Sequence, residues 1–82
     1  MKNYNQFKET VKEAVAILSQ RGIKVTAKHW TKESPFQKAR YKSEYVFPEV
    51  WLYPDNGGMG IVINAEEYNT PTKITDYVSL VA

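Results

Sequence analysis

Few side chains in this 82-residue chain are of the types that perform enzymatic chemistry. It has no cysteine, which excludes disulfides, zinc fingers, iron–sulfur clusters and thiol nucleophiles. Its single histidine, His29, alternates with Ile23, Val25 and Ala27, which indicates a structural residue on the inner face of a strand rather than a catalytic base. One histidine with scattered carboxylates also supplies too few ligands for a metal site. We therefore expect neither a metal nor a cofactor.

Two short patterns suggest catalytic motifs, and each has a simpler structural interpretation. Glu66 and Glu67 are adjacent, so on a helix they would point about 100° apart as solvated first-turn residues. Residues 57–60 (Gly-Gly-Met-Gly) lack the Lys-Ser/Thr of a phosphate-binding loop and join two predicted strands, so a hairpin turn explains them. No serine elbow of the type G-x-S-x-G is present. We expect that the chain is not an enzyme.

Charge is distributed unevenly along the chain. The formal net charge is +2, but residues 21–42 carry +6 and residues 43–82 carry −5. Such polarity indicates a basic surface offered to an acidic partner, or two halves that neutralise each other across the folded surface. The sequence leaves both interpretations open.

The elements that must position these charges follow from periodicity. Apolar residues at helical spacing predict an amphipathic helix over residues 4–21, ended by Gly22. Strands are predicted over residues 23–32, 45–53 and 59–63, with Pro48 placing the second at a sheet edge or a bulge. Residues 71–81 are assigned to a helix, although their composition also suits a strand. The sequence thus predicts one domain, residues 1–82, of the two-layer α+β class. Its three-stranded antiparallel sheet packs on the N-terminal helix and precedes a C-terminal helix, in α-β-β-β-α order.

Alternation within residues 23–32 predicts an outer strand face on which three lysines surround a tryptophan. On the next strand, Trp51 and Tyr53 are predicted to share that face. The connection over residues 33–43, a short helix or a loop, adds further cations and aromatics and is of a length that is often functional. The predicted partner-binding residues are Lys24, Lys28, Trp30, Lys32, Phe36, Lys38, Arg40, Tyr41 and Lys42.

Aromatic rings beside cations are typical of protein interfaces and of single-stranded nucleic-acid sites. Two alternatives would leave this face without such a role. A second layer could cover the rings, or a homodimer could bury the outer sheet face.

The predicted order of elements resembles that of the double-stranded-RNA-binding domain, which also has about this length. That family relies on a lysine-rich start to its last helix. Here residues 70–76 read Thr-Pro-Thr-Lys-Ile-Thr-Asp, with one lysine and one acid. The resemblance therefore concerns topology alone, and we do not assign the chain to the family.

The function expected from these features is that of a small non-enzymatic binding or inhibitor protein. The chain starts at Met1 without a signal peptide and has no apolar run of about 18 residues, so we expect a complete cytoplasmic protein that does not enter a membrane. Size and composition are analogous to those of phage or mobile-element accessory proteins, such as inhibitors of host defence. The basic, aromatic face would dock on an acidic protein surface. The alternative is a nucleic-acid-binding module that uses the same basic patch, against which the six carboxylates in residues 43–82 argue.

Overall fold

The computed structural model describes residues 3–33 and 47–82. The elements are helix α1 (Tyr4–Gln20), strands β1 (Val25–Thr31), β2 (Glu49–Pro54) and β3 (Ile61–Asn64), and helix α2 (Pro71–Val81). The predicted α-β-β-β-α order and the α+β class are confirmed, and the C-terminal element is a helix.

The sheet is antiparallel, with β2 between β1 and β3. Val25 of β1 pairs with Pro54 of β2, and Leu52 of β2 pairs with Ile61 of β3. Helix α1 packs on β1 and on α2, so the helices form one layer and the sheet forms the other. We call the side of the sheet away from the helices the outer sheet face.

Both ends of α1 are set by capping residues, and the end at Gly22 is the one predicted above. The side chain of Asn3 accepts a hydrogen bond from the backbone N–H of Gln6 at 3.0 Å. At the other end Gly22 adopts a φ of 83°, its N–H donates to the Ser19 carbonyl, and the Ile23 N–H donates to the Leu18 carbonyl at 2.9 Å. This left-handed cap ends the helix and turns the chain into β1.

Strand β2 is central, and Pro48 lies just before it. The prediction that Pro48 marks an edge strand or a bulge is therefore wrong, because a proline that precedes a strand removes no donor from it. Its carbonyl accepts a hydrogen bond from the Ala65 N–H at 2.9 Å. The following hairpin turns at Gly57, whose φ is 86°, and β3 begins at Ile61, two residues later than predicted.

Helix α2 starts at a cap of the same kind as α1. The Thr70 hydroxyl accepts a hydrogen bond from the Lys73 N–H at 3.2 Å, and Pro71 occupies the first turn. Ile74, Thr75 and Val78 are buried, which fixes the inner side of this helix.

The core lies between the two layers. Val25 of β1 and four aliphatic side chains of β2 and β3 are buried in one cluster with residues of α1 and α2; the four of β2 and β3 are Val50, Leu52, Ile61 and Ile63. The largest fully buried side chains include Phe7, Leu18, Leu52, Ile63 and Ile74.

Candidate functional site

A bulge in β1 decides which side chains reach which side of the sheet. Lys28 pairs with Trp51, but the next regular pair joins Thr31 to Glu49, so two residues of β1 stand opposite one residue of β2. One of those two, His29, has a φ of 59°, in the left-handed region that histidine tolerates better than most side chains. The alternation of side chains therefore shifts by one residue at this point.

The shift corrects two predictions about β1. His29 was predicted to point inward, yet its ring lies on the outer sheet face, with its centroid 5.8 Å from that of Tyr53 in an edge-to-face contact. Trp30 was predicted to share the outer sheet face with Trp51, yet it packs against the core. Its ring meets that of Phe7 at 6.1 Å and 76°. The extra residue of the bulge is the physical reason for both errors.

Trp30 belongs to a group of aromatic and basic side chains at the start of α1. Lys8 Nζ lies 5.2 Å from the ring centroid of Tyr4 and 5.9 Å from that of Trp30. Lys32 Nζ, which follows β1, lies 5.8 Å from the same Tyr4 ring. We call Tyr4, Lys8, Trp30 and Lys32 the cation–aromatic cluster.

The cluster carries positive charge without an acidic partner in the part of the chain that is described. Between residues 3–33 and 47–82, the one ion pair of side chains joins Lys12 to Glu9 at 3.9 Å, elsewhere on α1. A cation over an aromatic ring gains about 0.5–1 kcal/mol at an exposed site, which does not neutralise the charge. Lys8 and Lys32 therefore present two cations on the same ring.

Lys28 lies in a different environment, on the outer sheet face. Its Nζ is 5.8 Å from the ring centroid of Tyr53, which in turn stacks on Trp51 at 6.2 Å. A Cβ at Gly60 would come within 2.8 Å of both rings, so the two rings lie close over this glycine. The predicted pairing of Trp51, Tyr53 and a lysine on one face is thus present, with Lys28 as the lysine.

The structure consequently divides the predicted partner-binding residues. Trp30 and Lys32 meet in the cation–aromatic cluster, Lys28 lies on the outer sheet face, and Lys24 lies at the opposite end of β1 beside the hairpin, where it lines a hollow with Asp55. Sequence reasoning missed Tyr4 and Lys8, although their spacing of four residues on a helix is one that brings side chains together. The remaining predicted residues lie outside the described part of the chain: Phe36, Lys38, Arg40, Tyr41 and Lys42.

A second surface feature lies along the first residues of β3. A groove of about 640 Å³ runs from the outer sheet face, over the sheet edge, to the last turn of α2. We call it the β3 groove. Its walls include Trp51, Gly60, Val62, Tyr77 and Val81. Among the described residues that line it, none has a charged side chain.

Tyr77, which lines the β3 groove, packs against a second tyrosine, Tyr68. Its ring stacks on that of Tyr68 with a centroid distance of 4.8 Å and an angle of 22°. Burial raises the pKa of the Tyr68 hydroxyl above its ordinary value of 10.0, and the neighbouring Tyr77 and Glu67 raise it further. The hydroxyl is therefore neutral at physiological pH.

Within residues 3–33 and 47–82, no group of three His, Asp or Glu side chains is placed to hold a metal ion. In the same ranges, neither helix combines the length and the apolar character needed to cross a bilayer.

We compared the chain with models of protein families, with curated proteins and with solved structures, and none of them matched.

Proposed function

We propose that this protein is a non-enzymatic binding protein whose cation–aromatic cluster docks on an acidic surface of a partner protein. The observation that carries the proposal is the convergence of Lys8 and Lys32, from two different elements, on the ring of Tyr4. Like charges brought together repel each other, and a carboxylate from a partner would relieve that repulsion. Charged pairs of this kind raise association rates and select the partner.

The aromatic members would supply the anchor. Trp30 is partly buried, and the edge contact with Phe7 holds its ring in place before any partner arrives. A ring that is already ordered loses little side-chain entropy on binding. Tryptophan and tyrosine are also the side chains that most often dominate the energy of an interface.

Lys28 would act as a separate contact, because it lies on the outer sheet face beside Tyr53, whereas Trp30 and Lys32, which follow the start of the bulge, contact Phe7 and Tyr4. A partner that reached both Lys28 and Lys32 would have to wrap around the end of β1. The cytoplasmic location and the role of an inhibitor, in the style of small phage accessory proteins, remain predictions from size and composition.

Tryptophan fluorescence can test the charge preference of the cluster. In a Trp51→Phe background, Trp30 is the only tryptophan, so its emission reports on the cluster alone. We expect poly-L-glutamate to change this emission in about 50 mM salt, and the change to weaken as salt is added. Lys32→Glu should lower the apparent affinity at least about fivefold, since it replaces an attraction by a repulsion. Lys73→Glu is the matched control, because Lys73 lies on α2, its ammonium contacts Asn69, and it takes no part in the contacts that define the cluster.

Single-stranded DNA and double-stranded RNA form the parallel arm of the titration. If a nucleic acid binds more tightly than poly-L-glutamate, with a steep loss of affinity in salt, the nucleic-acid alternative replaces the proposal. If no polyanion alters the emission of Trp30, or if Lys32→Glu and Lys73→Glu behave alike, the cluster is not an acidic-partner site. A pull-down with the same two variants then identifies the natural partner, which Lys32→Glu should lose and Lys73→Glu should keep.

A further inference from the structure

Strand β3 leaves backbone hydrogen-bonding groups unpaired at the edge of the sheet. The Ala65 N–H donates to the Pro48 carbonyl, and the register pairs Ile63 with Val50 and Ile61 with Leu52. In an antiparallel ladder the backbone groups of every second residue bond to the neighbouring strand. The backbone N–H and C=O groups of Ile61, Ile63 and Ala65 therefore point toward β2. The N–H and C=O of Val62 therefore point away from the sheet. Within the described ranges, no turn or side chain bonds to them.

The two edges of the described sheet differ in how they are protected. Natural proteins block edge strands with charges, prolines or bulges. The β1 edge has two of these devices, the lysine at position 28 and the bulge at His29. Residues 60–64 (Gly-Ile-Val-Ile-Asn) have no charge, no proline and no bulge. The β3 edge is thus open to pairing with another extended chain.

The β3 groove gives such a chain places for its side chains. Tyr77 and Val81 stand on the helix side of the edge, and Trp51 stands on the outer sheet face. Met59 and Val81, at the mouth of the groove, are 90% and 49% exposed. Because side chains of a strand alternate, an added strand would place every second side chain against Tyr77 and Val81 and the others against Trp51.

The size and charge of the groove indicate what occupies it. Residues 60–64 would span about 17 Å at 3.4 Å per residue, the length of a short extended segment. Eleven of the described residues line the groove, whereas a stable interface between two folded proteins uses about 20–30 residues a side. A second copy of the chain is therefore poorly matched to it. Because the described residues of the groove carry no charged side chain, a charged side chain that entered it would lose water without gaining a partner from them.

From these observations we infer that the β3 edge binds an extended, uncharged, largely apolar segment of a partner polypeptide by strand addition. The main-chain groups of Val62 supply the hydrogen bonds, and the β3 groove selects the side chains. This site is separate from the cation–aromatic cluster and does not depend on the function proposed above.

Selection from a displayed library of random peptides, about seven residues long, tests the inference on the whole chain. We expect enrichment of uncharged sequences in which β-branched or aromatic residues alternate. Val62→Pro removes the outward N–H without removing a ladder donor and should weaken a selected peptide at least about tenfold. Val81→Glu, which leaves the backbone intact and puts a charge in the groove, should do the same. The matched control is Leu80→Glu, since Leu80 is 84% exposed, adjacent in sequence, and not part of the groove lining.

The possible outcomes separate this site from the cluster. Amide signals of Val62 and Asn64 that shift on peptide addition, and become protected from hydrogen exchange, would support strand addition. If only acidic peptides were enriched, and their binding were weakened by Lys32→Glu but not by Val81→Glu, the strand-addition inference would be overturned. That result would support binding at the cation–aromatic cluster instead. A dimer on a sizing column that Val62→Pro dissociates would also overturn it, because the occupant would then be a second copy. Equal binding by Val81→Glu and Leu80→Glu would refute the role of the groove.

Discussion

Substitution of His29 tests the bulge that separates Trp30 and Lys32 from Lys28. The comparison is between His29→Gly and His29→Val, measured side by side. Both variants lose the ring contact with Tyr53 equally. The difference between them therefore reports on the backbone at this position and not on the lost contact.

The backbone of His29 fixes the sign of that difference. At a φ of 59°, a side chain with a Cβ costs about 1–2 kcal/mol relative to glycine, and a β-branched one costs the most. We therefore expect the valine variant to be less stable than the glycine variant by about 1–2 kcal/mol. In a regular strand the valine variant would instead be the more stable one. Valine favours extended backbone, and glycine lowers the free energy of unfolding by about 0.5–1 kcal/mol because the unfolded chain gains entropy.

Urea unfolding followed by circular dichroism measures the comparison. With a slope of about 1 kcal/mol per molar for a domain of this size, the expected difference corresponds to midpoints separated by about 1–2 M. A valine variant as stable as the glycine variant, or more stable, would refute the left-handed conformation. The bulge would then be absent, and Trp30 would return to the outer sheet face.

Three further substitutions test other parts of the fold. Gly60→Ala should cost about 1–3 kcal/mol and alter Trp51 emission, because its Cβ would lie 2.8 Å from the rings of Trp51 and Tyr53. Gly22→Ala meets no atom within 4 Å, so denaturant unfolding should show only the backbone cost of its φ of 83°, about 1 kcal/mol. Since the Tyr68 pKa is raised above 10.0 in the folded state, its contribution is complete below pH 10 and is lost as pH rises further. In thermal melts from pH 8 to 11, Tyr68→Phe should therefore lose less stability than the parent chain; equal losses would contradict this.

The elements that local chemistry determines were predicted well from the sequence. Asn3 and Gly22 are residue types that cap helices, and the structure uses them as caps. The buried positions of α1 and of the hairpin follow from period alone, since apolar side chains at helical or alternate spacing share a face. Such features need information from only a few neighbouring residues.

The bulge could not be predicted in the same way, because it depends on two strands that are distant in sequence. One signal was nevertheless present. After Val25 and Ala27, the next large apolar residue of β1 is Trp30, three positions on, whereas regular alternation requires a spacing of two. A break in apolar spacing within a strand is what an inserted residue produces. His29, which lies between Ala27 and Trp30, is of a residue type that accepts a left-handed φ.

The bulge also explains why a charge count along the chain could not define a binding surface. Residues 21–42 carry +6, and a regular strand over residues 23–32 would place Lys24, Lys28 and Lys32 on one face. With the bulge, Lys28 and Lys32 lie on opposite sides of the sheet, beside Tyr53 and Tyr4 respectively. A flat acidic surface cannot meet both side chains at once. At Tyr4 a second cation, Lys8, joins Lys32, and it is on this side that we propose an acidic partner docks.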